Sequence, residues 1–316
     1  MSAQEFIGTP PDLSIVTSTY NSESTIGEFL HRARGAVVTL ESWLKRPIRY
    51  EIVIVDDGST DNCVEVLKAE VEHSKDLRFL VLAQNYGQHL AMLQGMQDST
   101  GDFVFVLDSD LEDDPAWLLH FWKKLITSGG RSVHGEYLRK DGPYLRRKGG
   151  ELFWRLFNKI GKFDLPINQT MARLMTRDFL DSTLANRRLS GLLAPILAAA
   201  GPSEPLLVEK SFKGSSTYSI RQKFSLAVRQ MLISSSEVWW RITSSSLCVG
   251  VLGIFIALVV LAIGANVTIY ISILLVSGLF ICTATMAAVG FMLRGVVENA
   301  TDIRPVIVGQ RYLPRG

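Results

Sequence analysis

Asp108 and Asp110 stand one residue apart at the end of an apolar run, Phe103 to Leu107, and Glu112 follows two positions later. On an extended chain that spacing puts both aspartates on one face. Carboxylates so close repel one another unless a positive charge lies between them, and a divalent cation with oxygen ligands, Mg²⁺ or Mn²⁺, meets that need. Such a cation neutralises a diphosphate leaving group as a Lewis acid. A lone Asp-x-Asp is a weak signal, but here a second acidic strand end repeats it: Ile52 to Val55, then Asp56 and Asp57, then the turn residues Gly58, Ser59 and Thr60. Capping of the following helices is the competing account; it suits Asp61 and Asp114 and does not cover the whole set.

Both apolar runs read as buried parallel strands that deliver polar groups to a sheet edge, and open α/β sheets bind ligands at such carboxyl ends. They belong to a series from Leu13 to about Glu136: LSIVTS, a helix through Phe29 to Leu44, YEIVIV, a helix from Asp61, LRFLVL, FVFVL and RSVHG, with helices after Gln88 and Pro115. The alternation predicts an α/β fold, a doubly wound and mostly parallel sheet with helices on both faces. From Arg139 to Ser235 the sequence reads as helical, basic and aromatic, with Leu152, Phe153, Trp154, Leu156, Phe157 and Ile160 among Arg146, Arg147, Lys148, Arg155, Lys159 and Lys162. That mixture suits a helix in the membrane interface or, equally, an amphipathic helix packed on the sheet.

Of the 316 residues 47% are hydrophobic, and no Asp, Glu, Lys or Arg occurs between Arg241 and Arg294. This tract breaks at Gly264-Ala265-Asn266, and each half has the roughly 20 residues that cross a hydrocarbon core of about 30 Å. Two transmembrane helices are predicted, about 243–263 and 268–292; the alternative is a pair of helices buried in a soluble core. Arg221, Lys223, Arg229 and Arg241 precede the first, and Arg294, Arg304, Arg311 and Arg315 follow the second, so both ends are expected on the cytoplasmic side. Trp239 and Trp240 suit the aromatic belt. MSAQEFIGTPPD has neither the basic start nor the apolar core of a signal peptide, which predicts an integral membrane protein with a cytoplasmic catalytic domain. Cys63, Cys248 and Cys282 show no disulfide framework or zinc spacing. The net charge of +2 decides nothing about nucleic acid, and no nucleic-acid partner is expected.

SIVTSTYNSE, VIVDDGSTD, NYGQHLAMLQGMQDSTGDFVFVLDSDLEDDP and KGSSTYS, followed by two spans and TDIRPVIVGQRY, resemble the family 2 glycosyltransferases of GT-A fold. The likeness extends over nearly the whole chain. It points to the polyprenyl-phosphate branch, which includes dolichol-phosphate mannose synthases, bactoprenol glucosyltransferases and the aminoarabinose transferase that acts on undecaprenyl phosphate. The resemblance implies a GT-A domain over 1–215, a juxtamembrane amphipathic helix over 216–241, two transmembrane helices over 242–293 and a cytoplasmic tail over 294–316. It also implies site roles. Thr17, Tyr20 and Asn21 would line the nucleotide pocket with Asp56, which faces the base; Gly87, Gln88 and His89 would lie near the nucleotide or the first carboxylate. Asp108 would serve ribose and metal, Asp110 the metal directly, and Glu112, where the branch commonly has glutamine, would be a third ligand. Arg173 would join Asp108 and Asp110 in catalysis, and Arg139, Lys140, Arg173 and Lys213 would hold the acceptor phosphate.

Three positions depart from the family pattern: Ser18 replaces a proline, no acidic residue stands at 167–171 before Arg173, and Arg139 and Lys140 match a Gly-x-Arg segment only loosely. The missing acid is compatible with transfer to a phosphate. A phosphate monoester has a second pKa of about 6 and is already a nucleophile at neutral pH, without the general base that a sugar hydroxyl needs. The implied reaction is metal-dependent, inverting transfer of a sugar from a nucleotide-sugar, UDP-linked by preference, to undecaprenyl or dolichyl phosphate in membrane lipid, by a protein that by analogy forms homo-oligomers. A processive polysaccharide synthase acting on another acceptor is a second reading, but the Gln-x-x-Arg-Trp type motif and the several spans of such synthases are missing. A catalytically idle nucleotide-sugar-binding scaffold is a third, favoured by the missing acid and opposed by Asp56, Asp108 and Asp110.

Overall fold

Both acidic strand ends belong to one sheet. The computed structural model describes residues 13–138, 155, 159, 169–185, 193–209, 236–264, 267–300 and 306–314. Within it β1 (Leu13–Thr19), β2 (Tyr50–Asp56), β3 (Leu77–Leu82) and β4 (Phe103–Val106) run parallel in the order β4-β1-β2-β3. All seven residues of β1 and all four of β4 are buried, because helices cover both sides of the sheet. On one side Ile15, Ile52, Ile54 and Phe105 pack with α1 (Ile26–Leu44), α2 (Cys63–His73) and α4 (Leu118–Ser128). On the other, Val16, Val53, Val55 and Val106 meet Met92 and Met96 of α3 (Gln88–Asp98), Phe179 of α5 (Arg177–Ala185) and Ile196 of α6 (Leu193–Ala200). Gly95 of α3 lies so close to β1 that a Cβ there would sit 2.8 Å from Val16 Cγ1.

Two further strands, β6 (Gln169–Thr176) and β7 (Glu204–Val208), come from the stretch between Arg139 and Ser235 that reads as helical. β6 is inserted antiparallel between β4 and β5 (Ser132–Tyr137), and β7 pairs parallel with β5 at the far edge. QTMARLMT is rich in Ala, Leu, Met and Arg, all good helix formers, and has few β-branched residues; strand partners on both sides override that propensity. At the opposite edge β8 (Val308–Tyr312), in the C-terminal tail, pairs antiparallel with β3, completing the order β7-β5-β6-β4-β1-β2-β3-β8.

The chain divides into two compact units: Met1–Leu152 with Asp164–Thr217 and Pro305–Gly316, and Phe153–Phe163 with Tyr218–Arg304. The second contains α7 (Ser236–Ala262) and α8 (Val267–Ala300), whose segments Thr243–Ala262 and Val267–Gly290 are long and apolar enough to cross a membrane, with mean hydropathies of 2.6 and 2.2. The two pack through small residues. A Cβ on Gly253 would fall 2.2 Å from Ser277 Oγ and one on Gly250 2.6 Å from Ile281 Cγ1, while Ala257, Ala284 and Ala287 are buried. Leu252, Phe255, Leu258 and Leu279 remain exposed. At the start of α7, Arg241 Nη1 donates to the Lys159 carbonyl at 3.1 Å. Apart from Arg155, Lys159 and the residues from Ser236 onward, the expected interfacial helix and the juxtamembrane helix lie outside the described residues.

Candidate active site at the carboxyl ends of β1, β2 and β4

Three parallel strands end side by side and their loops are tied to one another. After β1, Asn21 adopts a left-handed conformation (φ 51°). Its carboxamide oxygen accepts from Thr60 N at 2.8 Å and Thr60 Oγ1 at 3.2 Å, and its own amide donates to Ser59 Oγ at 2.9 Å. Asn21 thus braces the β1 loop against the β2 loop, while Tyr20 beside it is 48% exposed. After β2, the buried Asp56 folds the chain back on itself, accepting from Gly58 N at 3.2 Å, Ser59 N at 2.9 Å and the Ser59 hydroxyl. Gly58 is required there: its φ is +76°, and a Cβ would lie 2.9 Å from Gln84 C and 3.0 Å from Asn85 N.

The third loop closes over this pair. Asp57 accepts Tyr86 N at 2.7 Å on one oxygen and Gly87 N at 2.9 Å on the other. Burial raises the Asp57 pKa, and the two amides oppose the rise. Gly87 (φ 94°) starts α3, and Gln88 Nε2 then donates to Asp108 Oδ1 at 2.6 Å. Ser109 Oγ donates to the Ser18 carbonyl at 2.9 Å, joining the β4 end to β1. His89 is partly buried, its Nδ1 has no partner among the described residues, and burial lowers its pKa.

The acidic run after β4 is tightly folded. Asp110 Oδ1 accepts Glu112 N at 2.9 Å, and Leu111 between them has a φ of 63°. The buried Asp113 turns inward, accepting the Tyr137 hydroxyl of β5 at 2.7 Å and Ala172 N of β6 at 2.9 Å. Burial and then the charge of Asp113 and Asp110 push Asp108 well above the usual carboxylate range; burial pushes Asp113 up to about 6 despite its two donors. Like charges gathered this closely are what a cation relieves. Among the described residues no three His, Cys, Asp or Glu side chains converge to hold a metal by themselves. One or two carboxylates suffice for Mg²⁺-type sites in which substrate phosphates complete the shell, and the donor set fits that chemistry.

The residue profile of glycosyl transferase family 2 matches residues 14–183, more than half of the chain. The chain belongs to that family. A Mycobacterium tuberculosis (strain CDC 1551 / Oshkosh) protein named only by its class, as a glycosyltransferase, is 36% identical over 226 residues, covering 71% of this chain and 64% of its own length. The undecaprenyl-phosphate 4-deoxy-4-formamido-L-arabinose transferase of Pseudomonas fluorescens (strain SBW25) is 30% identical over 223 residues, covering 68% of this chain and 62% of its own. The matched regions thus span less than two thirds of these relatives. Among solved structures, glucosyl-3-phosphoglycerate synthase from Mycobacterium tuberculosis, in complex with Mn²⁺, UDP and phosphoglyceric acid, aligns with a TM-score of 0.49 at 17% identity over 75% of this chain and 80% of that one.

The family 2 domain brings Tyr20, Asn21, Asp56, Gly87, Gln88, Asp108, Asp110 and Glu112 to one edge of the sheet. Two of the expected residues lie deeper. Thr17 is buried within β1, its hydroxyl 3.4 Å from the Ser18 carbonyl. Arg173 is buried on β6 opposite Val106, two residues back from Asp108, where its Nη1 donates to Ser132 Oγ at 3.3 Å and burial lowers its pKa to about 10. Arg139, Lys140 and Lys213 lie outside the described residues. Asp57 and Asp113 are not among the site residues to which the sequence points. An acid beside each expected one was the available signal; that Asp57 clamps the 86–87 amides and Asp113 crosses to β5 and β6 required the fold.

Proposed function

We propose that this family 2 protein transfers a sugar from a nucleotide-sugar, UDP-linked by preference, to polyprenyl phosphate at the cytoplasmic membrane face, inverting the anomeric centre. The observation that carries the reading is the pairing of Asp108 with Gln88 at the β4 end, next to Asp110, in a domain whose chain continues into two apolar helices. The name of the Pseudomonas fluorescens relative, a transferase for undecaprenyl phosphate, supports this acceptor class. On this reading the domain is cytoplasmic, the helices Thr243–Ala262 and Val267–Gly290 cross the membrane, and the protein forms homo-oligomers.

On this reading each residue has a role that its position supports. Tyr20 and the loops fixed by Asn21, Asp56 and Asp57 form the wall against the nucleotide. Asp110 and Asp108, with Glu112 next to them, would hold Mg²⁺ or Mn²⁺, which would neutralise the diphosphate as it leaves. Gln88 fixes the direction of the Asp108 carboxylate. An acceptor phosphate oxygen attacks the anomeric carbon while the bond to the nucleoside diphosphate breaks, the diphosphate leaving with the electron pair. Because that oxygen is already ionised, no residue at 167–171 has to remove a proton. Positioning of the acceptor is assigned to Arg139, Lys140 and Lys213. Arg173, buried as it is, would add positive potential from beneath rather than touch the phosphate.

The test is transfer of radiolabel from a panel of UDP- and GDP-sugars into organic-extractable lipid by the full chain in detergent, with undecaprenyl phosphate and Mg²⁺ or Mn²⁺. Label in lipid that disappears in Asp110→Ala is the expected result. Nucleotide binding with no transfer from any donor would overturn the reading in favour of an idle nucleotide-sugar-binding scaffold.

A further inference from the structure

The loop Ala83–Gln88 carries the donor-site contacts of the third strand end, yet Ala83, Gln84 and Asn85 are all exposed and give it no core of its own. It is held from two sides. On the inner side are the two amides bound by Asp57. On the outer side is the chain just before β8: Ala83 N donates to the Ile307 carbonyl at 2.9 Å, and Ile307 N donates to the Tyr86 hydroxyl at 3.3 Å. Tyr86 and Leu90 pack with Val306 and Val308 against the Val16 side of the sheet. The register of β8 on β3 shifts between Val81 and Leu82, where the strand gives way to the loop.

β8 is anchored well away from this contact. The Tyr312 ring stacks on Phe79 with centroids 4.4 Å apart and planes 7° off parallel, and Lys68 Nζ lies 5.6 Å from the Tyr312 ring centre. Arg311 Nη1 is 2.5 Å from Asp98 Oδ1 at the end of α3, and the other oxygen of Asp98 takes Arg78 Nη1 of β3 at 3.1 Å. The strand is therefore fixed at its far end to the two elements, β3 and α3, that the loop connects.

From this geometry we infer that β8 is a positioning strand for donor binding. Through Ile307 it sets the Tyr86–Gly87–Gln88 segment, and so the Gln88 amide that holds Asp108, and the donor site is complete only when the chain beyond the second apolar helix is docked on β3. The inference rests on the donor-site reading above and adds Tyr86, Ile307 and the anchors Arg311 and Tyr312 to it as positioning residues.

The experiment is calorimetric binding of UDP and of GDP, each with Mn²⁺ and without acceptor, to the full chain in detergent. It is repeated on Tyr86→Phe and on a chain ending at Arg304. Tyr86→Phe removes only the oxygen that accepts from Ile307 and is expected to weaken binding about 2- to 10-fold, the range of one neutral hydrogen bond, with a fall in melting temperature of no more than a few degrees. The shortened chain is expected to lose at least tenfold in affinity and to regain it when a peptide of residues 305–316, but not its scrambled form, is added. A merely structural strand would lower the melting temperature without this rescue and leave the affinity of Tyr86→Phe alone. If the shortened chain does not fold, Tyr86→Phe decides. If the full chain binds nucleotide and Tyr86→Phe binds it within the error of the full chain, the positioning role is overturned and the donor site stands. If the full chain binds neither nucleotide, the donor-site reading falls and this inference with it.

Discussion

Gly58→Ala is the sharpest single test of how the site is built. The residue has a φ of +76°, and an added Cβ would meet Gln84 C at 2.9 Å and Asn85 N at 3.0 Å, both backbone atoms of the loop clamped by Asp57. A left-handed alanine costs about 1–2 kcal/mol, and pushing packed backbone aside adds about 1–3 kcal/mol, a total of roughly 2–5 kcal/mol. For a chain of this size that corresponds to a fall of roughly 4–20 °C in melting temperature. The control is the same substitution at Gly35, on the exposed face of α1, where a Cβ meets nothing within 4 Å. Helix propensity there favours alanine by about 0.5–1 kcal/mol, so Gly35→Ala should melt slightly higher. Thermal unfolding of the two variants in detergent, followed by UDP titration, completes the assay. Gly58→Ala should melt lower and bind UDP more weakly, because the turn that holds Asp56 and the loop that holds Gln88 cannot both keep their places. Equal melting temperatures for Gly58→Ala and the unaltered chain would refute the close packing of these loops.

At the other end of the same strands, Glu51 accepts from Ser14 Oγ and Thr100 N at 2.6 Å each, and Arg78 Nε lies 2.8 Å from its second oxygen. Burial alone would raise its pKa, but these donors and the Arg78 charge outweigh it and hold the carboxyl below the usual carboxylate range. A carboxylate with a depressed folded pKa stabilises the fold above its unfolded pKa, and the contribution is lost as pH falls through the folded value. Glu51→Gln should therefore lower the melting temperature at pH 7 and flatten its fall between about pH 5 and pH 3; an unchanged acid limb would contradict the network. In the helix pair, Gly253→Val would drive a branched side chain into Ser277 and should separate α7 from α8, read as a lower energy-transfer efficiency between dyes placed on the two helices. Val259→Leu, on an exposed position, should leave that efficiency unchanged.

Much of this protein is legible in its residues. The runs Ile52–Val55 and Phe103–Leu107 are too apolar for anything but strands covered on both sides, and the acids that end them have to be at a sheet edge. The 52 residues between Arg241 and Arg294 carry no acidic or basic side chain and have to form two apolar helices. These are local or near-local consequences of hydrophobicity and period, and the family motifs sit on them. Tertiary structure decided the rest. QTMARLMT is a strand only because β4 and β5 offer unpaired edges on either side, and VGQRY joins the sheet only because β3 presents its outer edge to a segment more than 200 residues away in sequence. In the same way, Asp57 and Asp113 look like spare carboxylates beside Asp56 and Asp110, and Arg173 like a cation free to reach an acceptor phosphate. Their partners at Tyr86, Tyr137, Ala172 and Ser132 are supplied by other elements. Backbone pairing and buried hydrogen bonds between distant segments depend on which groups the fold leaves unsatisfied, and that quantity exists only once the chain is folded.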